Sequence, residues 1–300
     1  LAILWTLAFL VYAAPALAQP WTITVTTSAD ELDNPWTDCP PPGNNDCSLR
    51  EAITVANYNG APGDVIEFDP TLDGQTITLD TTLGGLWIGN DTVTTIYTTF
   101  LNTGITIDAN GIAFPLTLNS NLITIQGLIT ITNAGAGGAA VALNSGADNA
   151  TLQGITVSGN GGLGISIGPV TGALLDGVMV TNNAGGGISL WNSSASGNTI
   201  QNCTVASNSM VGIYINGSST TISNCTVQSN GNGGITVDTG GAFTTISFST
   251  IQSNTSGSGI YAKAPINVTS STIANNNPGG ITLDVGANGS TISGSNILDN

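Results

Sequence analysis

Two carboxylates and one lysine of this 300-residue chain recur at a single position of a pattern: Asp238, Lys263 and Asp284 each lie three residues after an Ile that follows a Gly. If the pattern is a stack of strands, the three share one column, with Lys263 between two carboxylates whose backbones stand roughly 9.6 Å apart. That separation falls near the upper end for the acid and base of an inverting glycosidase. A lysine lodged between them would hold both ionised and fill the place of the attacking water. The column therefore reads first as a salt-bridge ladder on the surface, and Asp238 and Asp284 as catalytic candidates only second.

Three aromatic residues fall beside this column. Tyr214 and Tyr261 occupy the same outward position two repeats apart, and Trp191 belongs to the neighbouring position, on segments rich in Ser, Thr and Asn. Rings spaced along a neutral polar face can stack on sugars, which makes Trp191, Tyr214 and Tyr261 carbohydrate-binding candidates. The plain alternative is a set of scattered surface aromatics.

Composition narrows the chemistry further. The chain has 18 acidic residues, no His and only two strong bases, Arg50 and Lys263, for a net charge of −16. Phosphate recognition needs clustered Lys and Arg, so nucleic acid is excluded as a partner, and anionic membrane surfaces and polyuronates are disfavoured by the same repulsion. The lyase and polygalacturonase chemistries of elongated β-folds call for basic residues, grouped Asp or His that are missing here. No cofactor and no metal is expected, because two cysteines without His are too few ligands for zinc. Glycans or cell-surface components are the partners that this balance leaves.

Internal self-similarity explains how these residues are positioned. Thr199-Ile200-Gln201-Asn202-Cys203-Thr204-Val205-Ala206-Ser207-Asn208 recurs as Thr221-Ile222-Ser223-Asn224-Cys225-Thr226-Val227-Gln228-Ser229-Asn230, and again from Thr245 to Asn254. An Asn closes each copy, at Asn160, Asn183, Asn208, Asn230, Asn254, Asn276 and Asn300, and a Gly-Ile pair opens the next run, as at Gly212-Ile213 and Gly234-Ile235. Leucine-rich repeats have a similar period, but their Leu-dominated consensus is absent. Apolar residues alternate within each copy, which is strand periodicity. Short strands joined by Asn- and Gly-rich turns and stacked coil on coil make an all-β fold, a right-handed parallel β-helix of about 22–24 residues per coil. The recurring Asn is expected to build an amide ladder, and the Gly before each strand is expected at a turn of positive φ. Asp64–Phe68, Gln75–Leu79, Gly104–Asp108 and Ile123–Ile131 read as less regular coils of the same rod, about ten in all.

A solenoid must cover its end strands or polymerise through them. Ser48, with Glu51 three residues later, forms a capping box. Leu49, Ala52, Ile53 and Ala56 then share one face of a short helix, placed to be the N-terminal lid. Residues 1–18 are apolar and end in Ala16-Leu17-Ala18, a secretory leader whose basic n-region would lie upstream. In an exported chain Cys39 and Cys47 are expected to form a disulfide. Cys203 and Cys225, one coil apart, fit either a disulfide or a reduced buried stack.

Cys47-Ser48-Leu49-Arg50-Glu51-Ala52-Ile53, with Ala56-Asn57, resembles the CSLREA (CSLREAI) motif of exported bacterial proteins. Gly63–Pro70 and Gln75–Leu79 are similar to what usually trails that motif, and the later repeats resemble the generic parallel β-helix repeats of pectate-lyase-like proteins. The resemblance covers residues 39–300. It implies a large secreted or surface protein, often with a C-terminal sorting region. The expected organisation is a leader at 1–18, a cap at 19–58 holding the structural residues Ser48, Arg50 and Glu51, and a β-helix at 59–300 that continues past Asn300. The expected function is a secreted or cell-surface structural and adhesive rod without catalysis. The alternatives are a neutral-polysaccharide binding module or a carbohydrate-active enzyme.

Overall fold

The computed structural model describes residues 19–39, 46–89 and 94–300. The leader and the loop between the first two cysteines lie outside them. Among the described residues every strand pairing is parallel, and the strands form three sheets. Sheet A has eleven strands, from Thr22–Val25 to Thr291–Ser293. Sheet B has ten, from Thr76–Thr78 to Asn296–Leu298, and sheet C has nine, from Leu86–Ile88 to Ile281–Leu283. Each regular coil gives one short strand to each sheet in turn, as Thr199–Gln201, Thr204–Ala206 and Ile213–Ile215 do. Eleven strands at about 4.8 Å make a rod of roughly 50 Å.

Alternation decides which way each residue faces. In Thr221–Ser223 the Ile is buried between two half-exposed neighbours, and the same holds in most strands. Because pairing is in register, like side chains stack on like: Leu152, Leu175, Ile200, Ile222 and Ile246 form one interior file. Ile165, Ile188, Ile213, Ile235 and Ile260 form another. Each buried aliphatic contributes roughly 1.5–3 kcal/mol. Two expectations shift here. Thr22–Val25, assigned to the cap, is the first strand of sheet A and pairs with Asp64–Phe68. The early coils are longer than 22–24 residues: Tyr97 and Glu67 touch across adjacent coils at a separation of 30.

The asparagine ladder forms as expected and is saturated. Asn208 Nδ2 donates to Asn230 Oδ1 at 3.0 Å and to the Val180 carbonyl at 3.1 Å. Asn208 Oδ1 accepts from Asn183 Nδ2 at 2.9 Å and from the Asn183 amide at 3.1 Å. The same bonds recur through Asn160, Asn183, Asn230, Asn254, Asn276 and Asn300, with steps of 22 to 25 residues. These asparagines up to Asn276 are at most 2% exposed, so each amide has its donors and acceptor filled where water cannot reach.

The glycine expectation is corrected. Positive φ belongs to the residue before each ladder Asn, such as Ser207 at 57° and Ser229 at 56°, not to the Gly before each sheet C strand. Those glycines are needed for space. A Cβ at Gly212 would lie 2.7 Å from Asn230 Nδ2 and from the Gly234 carbonyl, and one at Gly234 would lie 2.5 Å from the Gly259 carbonyl. The ladder and the next coil run too close for a side chain.

The lid forms too. The helix spans Leu49–Tyr58, and Ser48 Oγ accepts the Glu51 amide at 3.1 Å while the Ser48 amide donates to Glu51 Oε2 at 3.1 Å. Arg50 grips Asp30 through Nε and Nη2 at 2.8 and 2.7 Å, and donates to the carbonyls of Leu83, Gly84 and Gly85. Seven residues on, along the same helix face, Asn57 Nδ2 donates to the Trp87 carbonyl at 2.8 Å and its Oδ1 accepts the Gly89 amide at 3.0 Å. Together Arg50 and Asn57 stand in for a neighbouring strand along the exposed edge of Leu86–Ile88. Cys39 and Cys47 are bonded, with Cα atoms 4.8 Å apart. Cys203 and Cys225 are free and buried, and Ser249, Ser271 and Ser295 continue their column by accepting the backbone amide of the preceding coil.

Asn208→Leu should lower unfolding free energy by about 2–4 kcal/mol, since it strands several buried partners at once; Asn224→Gly, at an exposed corner whose φ of 53° glycine adopts freely, should change it by less than about 0.5 kcal/mol. Denaturant titration measures both. Asn57→Ala bares the edge of sheet C and should produce concentration-dependent association in sedimentation velocity, whereas the unaltered chain stays dispersed.

Candidate functional site

Register fixes the outer face of sheet C. One outward file runs Trp87, Thr117, Ala142, Ser166, Ser189, Tyr214, Thr236, Tyr261 and Thr282. The next outward file includes Trp191, Asn216, Asp238, Lys263 and Asp284, the last four each joined to the preceding coil by a backbone hydrogen bond. The structure thus brings Trp191, Tyr214 and Tyr261 onto one face, with Asp238 and Asp284 among them.

The acid column differs in detail from a ladder with Lys263 bridging two carboxylates. Lys263 Nζ lies 3.4 Å from Asp238 Oδ1 and 5.8 Å from the centre of the Tyr261 ring. Asp284 is held by the Val285 amide at 2.7 Å and the Tyr261 hydroxyl at 2.9 Å. Asp238 accepts from the Tyr214 hydroxyl at 2.8 Å and the Thr239 amide at 2.8 Å. The Tyr214 hydrogen bond, the Thr239 amide and the Lys263 charge hold the Asp238 carboxyl below the usual carboxylate range. The Val285 amide, with the Tyr261 hydroxyl, does the same for Asp284. A glycosidase pair needs one carboxyl kept protonated by its surroundings. Here both environments favour the ionised form, so neither Asp is equipped as the acid. Burial, then the adjacent Asp238 carboxylate, pushes the Tyr214 phenol up to about 12, which removes it as a base near neutrality.

Further along the same face lies a cleft of about 570 Å³. Thr117, Ala142 and Ser166, three successive members of the central file, are among its lining, as are Phe114, Leu163 and Trp191. Phe114 is 50% and Trp191 52% exposed, and none of the lining residues is charged. Sequence reasoning found Trp191 but missed Phe114 and Trp87, which lie in the long early coils where the Gly-Ile step is absent. The alternation Leu86-Trp87-Ile88 was the available signal, since it places Trp87 outward between two buried residues.

One oxygen each of Asp33, Asp38 and Glu51 lie within 4.8 Å of one another at the start of the lid helix. No metal was expected from the sequence, and these acids are too scattered along the chain for spacing to reveal them. Glu51 already accepts the amides of Asp33, Asn34 and Ser48, and burial raises its pKa.

The family described as a right handed beta helix region matches residues 139–297. Among solved structures, pectate lyase Pel9A aligns at 14% identity over 93% of this chain and 79% of its own, with a TM-score of 0.60. An alginate lyase from Paenibacillus sp. str. FPU-7 aligns at 13% identity over 93% and 98%, with a TM-score of 0.52. A rhamnogalacturonan lyase aligns at 13% identity over 85% and 69%, with a TM-score of 0.50. At such identities the likeness is one of fold. No curated protein matches the sequence.

Tyr214 should ionise near pH 12 in an absorbance titration of the phenolate. Its folded pKa is raised above the ordinary value of about 10, so the stabilisation it carries is complete below that value and is lost as pH climbs through the folded one. In Asp238→Asn the titration should move back toward the ordinary value.

Proposed function

This chain belongs to the right-handed β-helix family, and on that premise we propose that it is an exported structural and adhesive rod that holds a neutral polysaccharide on sheet C. The observation that carries this reading is the uncharged cleft lined by Phe114 and Trp191 together with Thr117, Ala142 and Ser166. Two exposed rings offer apolar platforms to the faces of sugar rings, and hydroxyl-bearing neighbours supply hydrogen-bond partners for sugar hydroxyls. Export is supported by the apolar leader and by the resemblance of Cys47–Ile53 to the CSLREAI motif.

Charge selects the class of glycan. A net charge of −16 with two bases in the whole chain repels a polyuronate. The names of the aligned lyases point to pectate, alginate and rhamnogalacturonan as matters for those proteins. What supports a polysaccharide here is the cleft; what supports a neutral one is the missing basic lining. Retention without turnover is the outcome this reading expects, because no acid or base lines the cleft and both Asp238 and Asp284 are held below the usual carboxylate range.

Affinity electrophoresis of the full chain in gels containing glucomannan, xyloglucan, hydroxyethylcellulose or polygalacturonate tests this. At least one neutral polymer should retard migration, polygalacturonate should not, and Phe114→Ala with Trp191→Ala should weaken retardation roughly tenfold, about 1.4 kcal/mol. No new reducing ends should accumulate. Retardation by polygalacturonate alone, or unaltered retardation of the double variant, would contradict the proposal.

A further inference from the structure

Sheet A carries an anomaly at two of its corners. A residue one or two positions before the sheet A strand and the residue directly after it are left-handed in coil after coil. On one side the column runs Leu122, Asn149, Gly172, Gly197, Ser219 and Phe243, with φ of 60°, 55°, 73°, 63°, 53° and 64°. On the other it includes Gly154, Gly177, Asn202, Asn224, Phe248 and Ser270, with φ of 68°, 63°, 54°, 53°, 50° and 49°. Gly, Asn and Ser adopt this conformation at small cost, but for a bulky side chain it is a true outlier. A single coil places Phe at both corners, flanking the strand Thr244–Ser247. Side-chain burial does not offset that cost, for Phe243 is 75% and Phe248 66% exposed; the corners are held by backbone hydrogen bonds alone, from the Phe243 amide to the Pro265 carbonyl and from the Phe248 amide to the Thr269 carbonyl.

We propose that Phe243 and Phe248 form a second glycan contact on the rod, separate from the sheet C cleft and likewise selective for neutral chains. Their Cα atoms are five residues apart along an extended segment, roughly 16 Å, so the rings bracket a run of several sugar units. Between them Thr245 and Ser247 face outward, and Thr221, Ser223, Asn267 and Thr269 extend the same surface on the adjoining strands. Every sheet A strand from Thr199–Gln201 to Thr291–Ser293 is free of charged residues. The chemistry is two apolar platforms around uncharged donors and acceptors, which suits sugar hydroxyls and apolar ring faces and offers nothing to an anion. Backbone strain held at an exposed aromatic pair is the mark of a group retained for contact, not for folding. The inference rests on the reading of the chain as a glycan-binding rod, and it adds that two faces bind, so that one molecule can bridge two polysaccharide strands.

The test pairs binding with stability in the full chain. Phe243→Asn with Phe248→Asn should raise the melting temperature, because Asn tolerates the left-handed corner, yet should weaken retardation by at least one of glucomannan, xyloglucan and hydroxyethylcellulose roughly fivefold to tenfold. A merely structural pair would move both in the same direction. The unaltered protein should also cross-link that polymer into larger aggregates by light scattering, and both the Phe pair variant and Trp191→Ala should lose this while each keeps part of its retardation. Unchanged retardation of the Phe pair variant, with loss in Trp191→Ala, overturns this inference and leaves the sheet C reading standing. If the unaltered protein sediments as an oligomer that the Phe pair variant dissolves, with retardation unaffected, the pair is instead a protein contact and the inference fails. Absence of retardation in every neutral polymer overturns both readings.

Discussion

A chain wound into stacked coils must turn corners in a dry interior without leaving backbone or side-chain amides unpaired. The rest of this structure depends on how that demand is met. The ladder from Asn160 to Asn300 meets it by making every coil the hydrogen-bond partner of the next. Each amide also reaches back to a strand carbonyl of the preceding coil, so the corner and the sheet are one network. The close approach of the following backbone then dictates Gly at Gly164, Gly187, Gly212, Gly234, Gly259 and Gly280, and the tight corner dictates a left-handed residue before each ladder Asn. Sequence regularity in the last 160 residues is the imprint of that single constraint.

The same dependence of each coil on its neighbour makes the ends a separate problem. At the N-terminal end the solution is a helix whose Arg50 and Asn57 hydrogen-bond along the Leu86–Ile88 edge. These residues belong to the stretch that resembles the CSLREAI motif, and its physical sense is plain: Ser48 and Glu51 start the helix, Leu49 and Ile53 seat it, and Arg50 and Asn57 finish the sheet. The Cys39–Cys47 bond and the Arg50–Asp30 pair tie the preceding segment to this lid.

Most of the fold was legible because stacking turns one local pattern into many copies, and the Asn and Gly-Ile steps reveal the register. The function of those glycines was misjudged, since a sequence shows that a side chain is absent and not whether space or φ forbids it. Thr22–Val25 was hidden because its partner, Asp64–Phe68, is more than forty residues away, across the lid. Trp191, Tyr214 and Tyr261 could be placed on one face from register alone, whereas Phe114 needed the irregular early coils to be built. The tyrosine hydroxyls bound to Asp238 and Asp284 were equally out of reach, because side-chain reach between coils is not encoded in spacing. Phe243 and Phe248 were visible in the sequence, but their left-handed backbone was not.

A rod with saturated interior amides leaves chemistry to its outer files, and the three sheets are free to differ. Sheet C carries Trp191, Tyr214 and Tyr261, with Asp238 and Asp284 bound to the two tyrosines, and the proposed account places a neutral polysaccharide in its uncharged cleft. Hydrogen–deuterium exchange of the full chain, with and without a retarding neutral polysaccharide, tests that placement most directly. The account expects added protection at the segments around Phe114–Leu118, Ala139–Leu143, Leu163–Ile167 and Ile188–Trp191, with the sheet B strands unchanged. Protection confined to sheet B, or none anywhere at saturating polysaccharide, would contradict it.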